Sequence, residues 1–137
     1  MYIFDGAMGT MLQAAGLEEG YCPELFNVER PEVVKNIHAQ YLQHGSDVIT
    51  TNTFGACGLK LEDYDLQDRV REINIAAVKV AKEAIAEVKP SARVAGSMGP
   101  TGRFLQPLGN MSFDSIYDTY REQADALIEG GVDFIII

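Results

Sequence analysis

Three short polar segments of the chain carry residue types that could bind a small molecule: DGAMGT at residues 5–10, TTNTFG at 50–55 and GSMGPTG at 96–102. In the first, Asp5 can bind an amine or another polar group, and the glycine after it lets the backbone approach a ligand closely. Asp5 can equally be the N-cap of a short helix through residues 11–13. The residues alone leave both interpretations open.

The second segment begins with four consecutive hydrogen-bonding side chains. In an extended strand, Thr51 and Thr53 project to one side, and Thr50 and Asn52 project to the other. Such a strand end suits a ligand that forms hydrogen bonds. The alternative is structural, because threonine is common in strands and asparagine is common in turns.

The third segment combines three glycines with a proline, which fixes an unusual backbone path. We expect it to form a turn that shapes the mouth of a site. A phosphate loop needs Lys followed by Ser or Thr after its last glycine, and this segment has no such pair. Residues 5–10 also lack the glycine spacing of dinucleotide-binding loops. Neither segment therefore predicts a nucleotide site.

Short apolar runs and helical patterns alternate along the chain, which is typical of repeated strand-helix-strand units. The four runs that predict strands lie at residues 2–4, 47–50, 93–96 and 133–137. Apolar residues at three- and four-residue spacing predict helices from Pro31 to a stop at Gly45, from Leu66 to Val88 and from Ser115 to Glu129. Each polar segment thus lies at the carboxyl end of a predicted strand.

Repeated units of ~40 residues with right-handed crossovers build a parallel sheet covered by helices. A complete (β/α)8 TIM barrel typically needs ~250 residues, whereas this chain has 137. We therefore expect an α/β fold, the N-terminal half of a (β/α)8 TIM barrel with four parallel strands and intervening helices. A small doubly wound sheet is the alternative. In a barrel, the polar segments would share the edge that carries active sites.

Composition and charge narrow the classes of partner. The chain is 47% hydrophobic and 23% charged, close to the averages of globular domains, and its net charge is −9 at pH 7. An acidic chain without a run of Lys or Arg matches nucleic acid and anionic membranes poorly, so we expect neither as a partner. No signal sequence is visible, and we expect a cytoplasmic location. Cys22 and Cys57 are not spaced as a metal or redox motif, so we expect free thiols.

Taken together, residues 5–10, 45–55 and 99–102 resemble the homocysteine S-methyltransferase family, and within it the N-terminal homocysteine-binding module of the cobalamin-dependent members. The resemblance covers essentially the whole chain, and it is specific because three separate motifs agree. It implies a (β/α)8 barrel in which zinc holds homocysteine as a thiolate that attacks an activated methyl group to give methionine. It also implies substrate binding by four residues at one barrel mouth: Asp5, Gly6, Thr51 and Thr53.

The same resemblance implies features that these residues lack. In the family, zinc is held by cysteines in the second half of the barrel, and Cys22 and Cys57 match none of those positions. A glutamate that binds the substrate amino group follows strand four, and this chain stops at Ile137 just before it. We therefore expect residues 1–137 to be the N-terminal half of a homocysteine-binding barrel domain, truncated after strand four, with no catalytic residue and no metal ligand of its own.

The cofactors are accordingly expected outside this chain. Zinc would be bound by ligands beyond residue 137, and cobalamin and methyltetrahydrofolate by other modules of the parent protein. The 137 residues are then expected to be inactive alone. The methyl donor stays open among methylcobalamin, S-methylmethionine and betaine.

Two other functions stay open on the residues alone. One is a non-catalytic half-barrel module that associates with itself, because the end strands of an open sheet each lack a neighbour and residues 134–137 are apolar. The other is a barrel fragment that binds a phosphorylated metabolite at its glycine-rich mouth. Binding of homocysteine would separate the family function from both alternatives.

Overall fold

The computed structural model describes residues 1–137, which form six α-helices and three β-strands. The helices are α1 (Gly9–Ala14), α2 (Phe26–Glu29), α3 (Pro31–Gln43), α4 (Gly58–Leu61), α5 (Val70–Val88) and α6 (Phe113–Gly130). The strands are β1 (Val48–Thr50), β2 (Arg93–Ser97) and β3 (Phe134–Ile136). Short 3-10 turns lie at Pro23–Leu25, Glu62–Tyr64 and Gln67–Arg69. No helix combines the length and the apolar character that a bilayer crossing requires.

All three predicted helices are present, with local chemistry setting their ends. α5 begins at Val70 rather than at the predicted Leu66. Gln67–Arg69, predicted as its first turn, form a 3-10 turn instead. α6 begins earlier than predicted, since Ser112 is its N-cap and Ser112 Oγ accepts a hydrogen bond from Ser115 N at 3.1 Å. α6 ends before Gly131, whose φ of +87° favours glycine.

The three strands form a parallel sheet in the order β1-β2-β3. In its register, Ile49 lies opposite Val94, and Gly96 lies opposite Ile135. Strand order follows chain order, so right-handed crossovers place the connecting helices on one face of the sheet. The prediction of an α/β fold with parallel strands is confirmed.

Residues 2–4, predicted as a fourth strand, do not form one. Phe4 makes an isolated parallel bridge to Val48, with hydrogen bonds from Val48 N to Ile3 O at 3.1 Å and from Asp5 N to Val48 O at 3.0 Å. β1 is three residues long, and residues 2–4 are exposed with no strand on their other side. So short an edge supports one bridge rather than a ladder. The sheet therefore has three strands, with residues 2–4 running beside β1.

A contact between two aromatic rings indicates that the sheet curves across its strands. The rings of Phe4 and Phe134 meet edge to face with their centroids 6.0 Å apart, although β1 and β2 lie between their backbones. In a flat sheet, backbones three strand positions apart are separated by about 14 Å. The two side chains therefore converge on the concave face of a curved sheet.

Two aspartates make the same pair of hydrogen bonds at the amino ends of strands. Asp47 N donates to Ile3 O at 2.7 Å, and Asp47 Oδ2 accepts from Ile3 N at 3.0 Å. Asp133 repeats this arrangement with Val94, at 2.9 Å and 2.8 Å. The Lys89 ammonium, 2.7 Å from Asp47, holds the pKa of that carboxyl below its usual range. The pattern of glycine, one residue and aspartate before β1 and β3 therefore fixes the register of neighbouring segments.

The core lies between the sheet and the long helices. Ile49 and Val94 of the sheet are buried in one cluster with Val78 of α5 and Leu127 of α6. A Cβ on Gly130 would lie 2.9 Å from Val78 Cβ, so α5 and α6 meet more closely there than a side chain would allow. This close packing fixes α5 against α6.

His38 is fully buried in α3, and neither ring nitrogen has a hydrogen-bond partner. Burial lowers the pKa of its imidazole from 6.5 to about 4. On acidification, the unfolded chain therefore binds a proton at this residue before the folded chain does. Folding stability is complete above the unfolded pKa and falls as the pH falls toward the folded pKa.

We predict that His38 makes the protein sensitive to acid. Between pH 6.5 and pH 4, it should account for a loss of about 3 kcal/mol in the free energy of unfolding. His38→Leu should remove this part of the pH dependence, measured by urea denaturation across that range. His44→Leu is the control, because His44 is exposed at the end of α3. The same pH dependence in His38→Leu and the wild type would contradict the prediction.

Candidate functional site

A cleft of about 540 Å³ lies at the carboxyl ends of the strands. The last residues of β1, β2 and β3 line it, namely Thr50, Ser97 and Ile136, together with residues 4–6 and 51–54. The structure therefore brings the first two polar segments together with the start of the third. The four residues expected to bind substrate all line this cleft: Asp5, Gly6, Thr51 and Thr53.

The carboxylate of Asp5 is fixed by the last residue of β1. Thr50 donates to it twice, from N to Oδ2 at 2.7 Å and from Oγ1 to Oδ1 at 2.8 Å. Burial raises the pKa of Asp5, and the two hydrogen bonds from Thr50 oppose that shift. Each carboxylate oxygen keeps an acceptor position for a ligand. The alternative role as N-cap is not observed, because Met8 precedes α1 and no side chain caps that helix.

Two glycines of the polar segments have close neighbours on the side where a Cβ would lie. A Cβ on Gly6 would lie 3.0 Å from the ring and hydroxyl of Tyr41. A Cβ on Gly99 would lie 2.5 Å from Phe54 O. The third polar segment therefore lies directly against Phe54, which lines the cleft, as expected of a turn that shapes the mouth.

The hydroxyls of Thr51 and Thr53 form a closed ring of hydrogen bonds with Ser97 at the end of β2. They lie 2.6 Å apart. The extended strand expected here does not reach them, because β1 ends at Thr50 and Thr53 N donates to Thr51 O at 2.9 Å, which closes a turn. Ser97 N donates to Thr51 Oγ1 at 3.0 Å, and Thr53 Oγ1 donates to Ser97 O at 2.7 Å. Because Thr53 gives its one hydrogen to Ser97 O, Thr51 must donate to Thr53. Both hydroxyls can therefore only accept a further hydrogen bond from a ligand.

Glu24 is a second carboxylate in the cleft, and sequence analysis did not predict it. It is 7% exposed, with Oε1 accepting from Gly55 N at 2.7 Å and Oε2 accepting from Cys22 Sγ at 3.4 Å. It lies in the 3-10 turn Pro23–Leu25, where no periodic pattern separates a buried glutamate from an exposed one. Asp5 and Glu24 give the cleft two carboxylates, and no Lys, Arg or His lines it. This charge matches a ligand that carries a cationic group.

The two cysteines of the chain do not fit a metal site. Cys22 and Cys57 are both buried free thiols. Burial, followed by the charge of Glu24, raises the pKa of Cys22 to about 12, and burial also raises the pKa of Cys57. A cysteine that binds a metal is a thiolate, which both environments disfavour. No group of three or more His, Cys, Asp or Glu side chains is placed to hold a metal ion.

A parallel sheet with helices between its strands and a cleft at the carboxyl ends of those strands places the chain in the α/β class, in which active sites are commonly built at that edge. The family model described as Homocysteine S-methyltransferase matches residues 2–137. The chain belongs to this family, and the resemblance drawn from the three motifs is confirmed.

Two curated relatives are methionine synthases. The chain is 41% identical over 143 residues to methionine synthase of Mycobacterium tuberculosis (strain ATCC 25618 / H37Rv). It is 38% identical over 143 residues to methionine synthase of Mycobacterium leprae (strain TN). Each match covers 97% of this chain and 12% of the relative, so the chain spans about an eighth of the length of these proteins.

Solved structures of a homocysteine methyltransferase have the same fold. The metallated form of MmuM from Escherichia coli aligns with a TM-score of 0.80 and 25% identity, covering 98% of this chain and 52% of that chain. The oxidized form also aligns with a TM-score of 0.80, over 51% of its chain. This chain therefore matches about half of that enzyme.

We predict that the hydroxyl ring stabilises the carboxyl end of β1. Thr53→Val keeps the shape of the side chain but removes the donor to Ser97 O and the acceptor for Thr51. Unpaired buried polar groups cost about 1–3 kcal/mol, so urea denaturation should show a loss of that size. Thr119→Val is the control, because the Thr119 hydroxyl bonds within α6, to Ser115 O. An equally small loss in both variants would argue against the ring.

Proposed function

We propose that residues 1–137 form the N-terminal half of a (β/α)8 barrel domain that binds homocysteine, the methyl acceptor in methionine synthesis. Support comes from family membership, from the methionine synthase relatives and from the homocysteine methyltransferase of which this chain covers about half. The curvature that brings Phe4 and Phe134 together favours a barrel over an open doubly wound sheet.

The observation that carries the proposal is the environment of the Asp5 carboxylate. It shares its cleft with a second carboxylate and with no cationic side chain, and it keeps acceptor positions beside its hydrogen bonds from Thr50. The ammonium group of an amino acid supplies both the positive charge and the donors. Thr51 and Thr53 offer acceptor oxygens, and Gly6 lines the same cleft. We assign Asp5 and these three residues to the amino-acid end of homocysteine.

Zinc, which the family resemblance implies, finds no fitting ligands among these residues, because both cysteines are buried thiols. We propose that zinc is bound by residues outside 1–137, where it would hold the substrate sulfur as a thiolate. Cobalamin and methyltetrahydrofolate are assigned in the same way to other modules of the parent protein. On this proposal, the 137 residues have no methyltransferase activity alone.

A self-associating module is a second candidate function, because β3 is an open edge. Phe134–Ile136 pairs only with β2, is half-buried and carries no charge. An uncharged apolar edge strand is a template for pairing with another chain. The phosphometabolite alternative is less favoured, because a cleft lined by two carboxylates and no Lys or Arg repels a phosphate.

We predict that Asp5→Asn weakens homocysteine binding at least tenfold, or by about 1.4 kcal/mol. The amide keeps an acceptor for Thr50 but removes the negative charge that would attract the substrate ammonium. Calorimetric titration of the intact gene product measures the affinity, and thermal melting measures the stability. Asp63→Asn is the control, because Asp63 pairs with Arg103 outside the cleft. If Asp5→Asn binds homocysteine as tightly as the wild type, the assignment is wrong.

We also predict that the isolated 137-residue chain self-associates through β3. Sedimentation velocity over a concentration series should show dimers or larger species, and the amides of Phe134–Ile136 should become protected from hydrogen exchange as these species form. A monomer at high concentration with protected amides in β3 would refute this expectation.

A further inference from the structure

Residues 52–56 follow β1 at the cleft, and we call them the cleft loop. Three amide side chains from three helices donate to its backbone carbonyls. Asn27 Nδ2 of α2 lies 2.7 Å from Asn52 O, Gln123 Nε2 of α6 lies 2.8 Å from Thr53 O, and Asn74 Nδ2 of α5 lies 2.9 Å from Ala56 O. No strand pairs with the cleft loop, so these side chains take the place of a sheet ladder.

The other two residues of the cleft loop, Phe54 and Gly55, also form backbone hydrogen bonds with distant parts of the chain. Gly99 N donates to Phe54 O at 3.0 Å, and Gly55 N donates to Glu24 Oε1 at 2.7 Å. Every residue of the cleft loop thus has a backbone group bound by a residue from another part of the chain. A hydrogen bond to another part of the chain at every residue is unusual for a loop, since most loops are more mobile than the elements they connect.

The three amides are buried in a way that packing alone does not explain. Asn27 is 2% exposed, and Asn74 and Gln123 are 0% exposed. Asn27 Oδ1 and Gln123 Oε1 have no hydrogen-bond partner within the protein. A buried polar atom without a partner costs free energy that an apolar side chain of similar size would not. The hydrogen bonds that these side-chain NH2 groups donate to the cleft loop therefore explain why Asn or Gln, and not an apolar residue, occupies these positions.

Two of the amides also bond to each other. Gln123 Nε2 lies 3.3 Å from Asn74 Oδ1, and Asn74 Nδ2 also bonds Val70 O in its own helix at 2.7 Å. α5 and α6 therefore hold the cleft loop through one connected network. A shift of either helix would move the loop and with it the rim of the cleft.

We propose that Asn27, Asn74 and Gln123 are positioning residues for the substrate cleft. They hold the cleft loop so that Thr53 stays against β2 and the Phe54 side chain, 62% exposed, stays at the rim. A loop that is fixed before the substrate arrives lowers the entropy cost of binding. The proposal rests on homocysteine binding in this cleft, and it adds three residues that do not line it.

The test compares Gln123→Met with Val78→Ala in the intact gene product. Methionine has nearly the length of glutamine but offers no donor to Thr53 O. Val78 is buried on α5 and packs against Gly130 of α6, so its truncation measures destabilisation of the same helix pair. Calorimetry gives the affinity for homocysteine, urea denaturation gives the stability, and amide hydrogen exchange at Gly55 and Ala56 reports local opening.

Gln123→Met should weaken homocysteine binding roughly fivefold to tenfold, the equivalent of one lost hydrogen bond. Exchange at Gly55 and Ala56 should accelerate by a similar factor. Val78→Ala should leave the affinity for homocysteine and the exchange rates at Gly55 and Ala56 within about twofold of the wild type, although its loss of stability is comparable to that of Gln123→Met. Asn27→Ala, on the short helix α2, should have the same two effects and replaces Gln123→Met if that variant does not fold.

Unchanged exchange at Gly55 and Ala56 in the folded variants would overturn the positioning role. Equal losses of affinity in Gln123→Met and Val78→Ala would overturn it as well. A wild-type protein that does not bind homocysteine would instead refute the proposed function. The exchange rates would then still decide whether the three amides fix the cleft loop.

Discussion

Where β1 ends at the cleft, its backbone N–H and C=O groups no longer have partners in the sheet and must be paired in another way. The arrangement of the site depends on this requirement. At the end of β1, the Asp5 carboxylate accepts a hydrogen bond from Thr50 N. Immediately after β1, the Thr51 hydroxyl accepts from Ser97 N, and the Thr53 hydroxyl donates to Ser97 O. Asp5, Thr51 and Thr53 thus both satisfy backbone groups and line the cleft. The side chains proposed to bind the substrate are therefore also the ones that end β1.

Aspartates lie at both edges of the sheet, but their carboxylates differ in whether a basic side chain of the protein already pairs with them. At the amino edge, Asp47 and Asp133 each accept from a backbone N–H with one oxygen and from a basic side chain with the other. At the carboxyl edge, Asp5 accepts from Thr50 and faces a cleft that no cation lines. One residue type therefore fixes register at one edge and stays available to a ligand at the other.

The hydrophobic pattern predicts β1, β2 and β3 to within a residue at each end, because buried parallel strands read as short apolar runs. It does not show that residues 2–4 have a neighbour on one side only. The polar cleft segments were recognisable because they follow strands, whereas Glu24 lies in an irregular turn without a pattern. Asn74 and Gln123 did carry a signal. Each lies at helical spacing between buried or half-buried apolar residues of its own helix, where an amide needs a buried partner.

The cleft side chains share one chemical limitation that bears on what they can bind. Asp5 and Glu24 offer carboxylate oxygens, and the hydroxyls of Thr51 and Thr53 offer only lone pairs, since their hydrogens are donated within the ring. All four groups are acceptors. An amino acid such as homocysteine presents donors at its ammonium group, but its carboxylate and sulfur need donors or a metal. These four side chains can therefore orient such a ligand by its ammonium end, and other groups must hold its carboxylate and activate its sulfur.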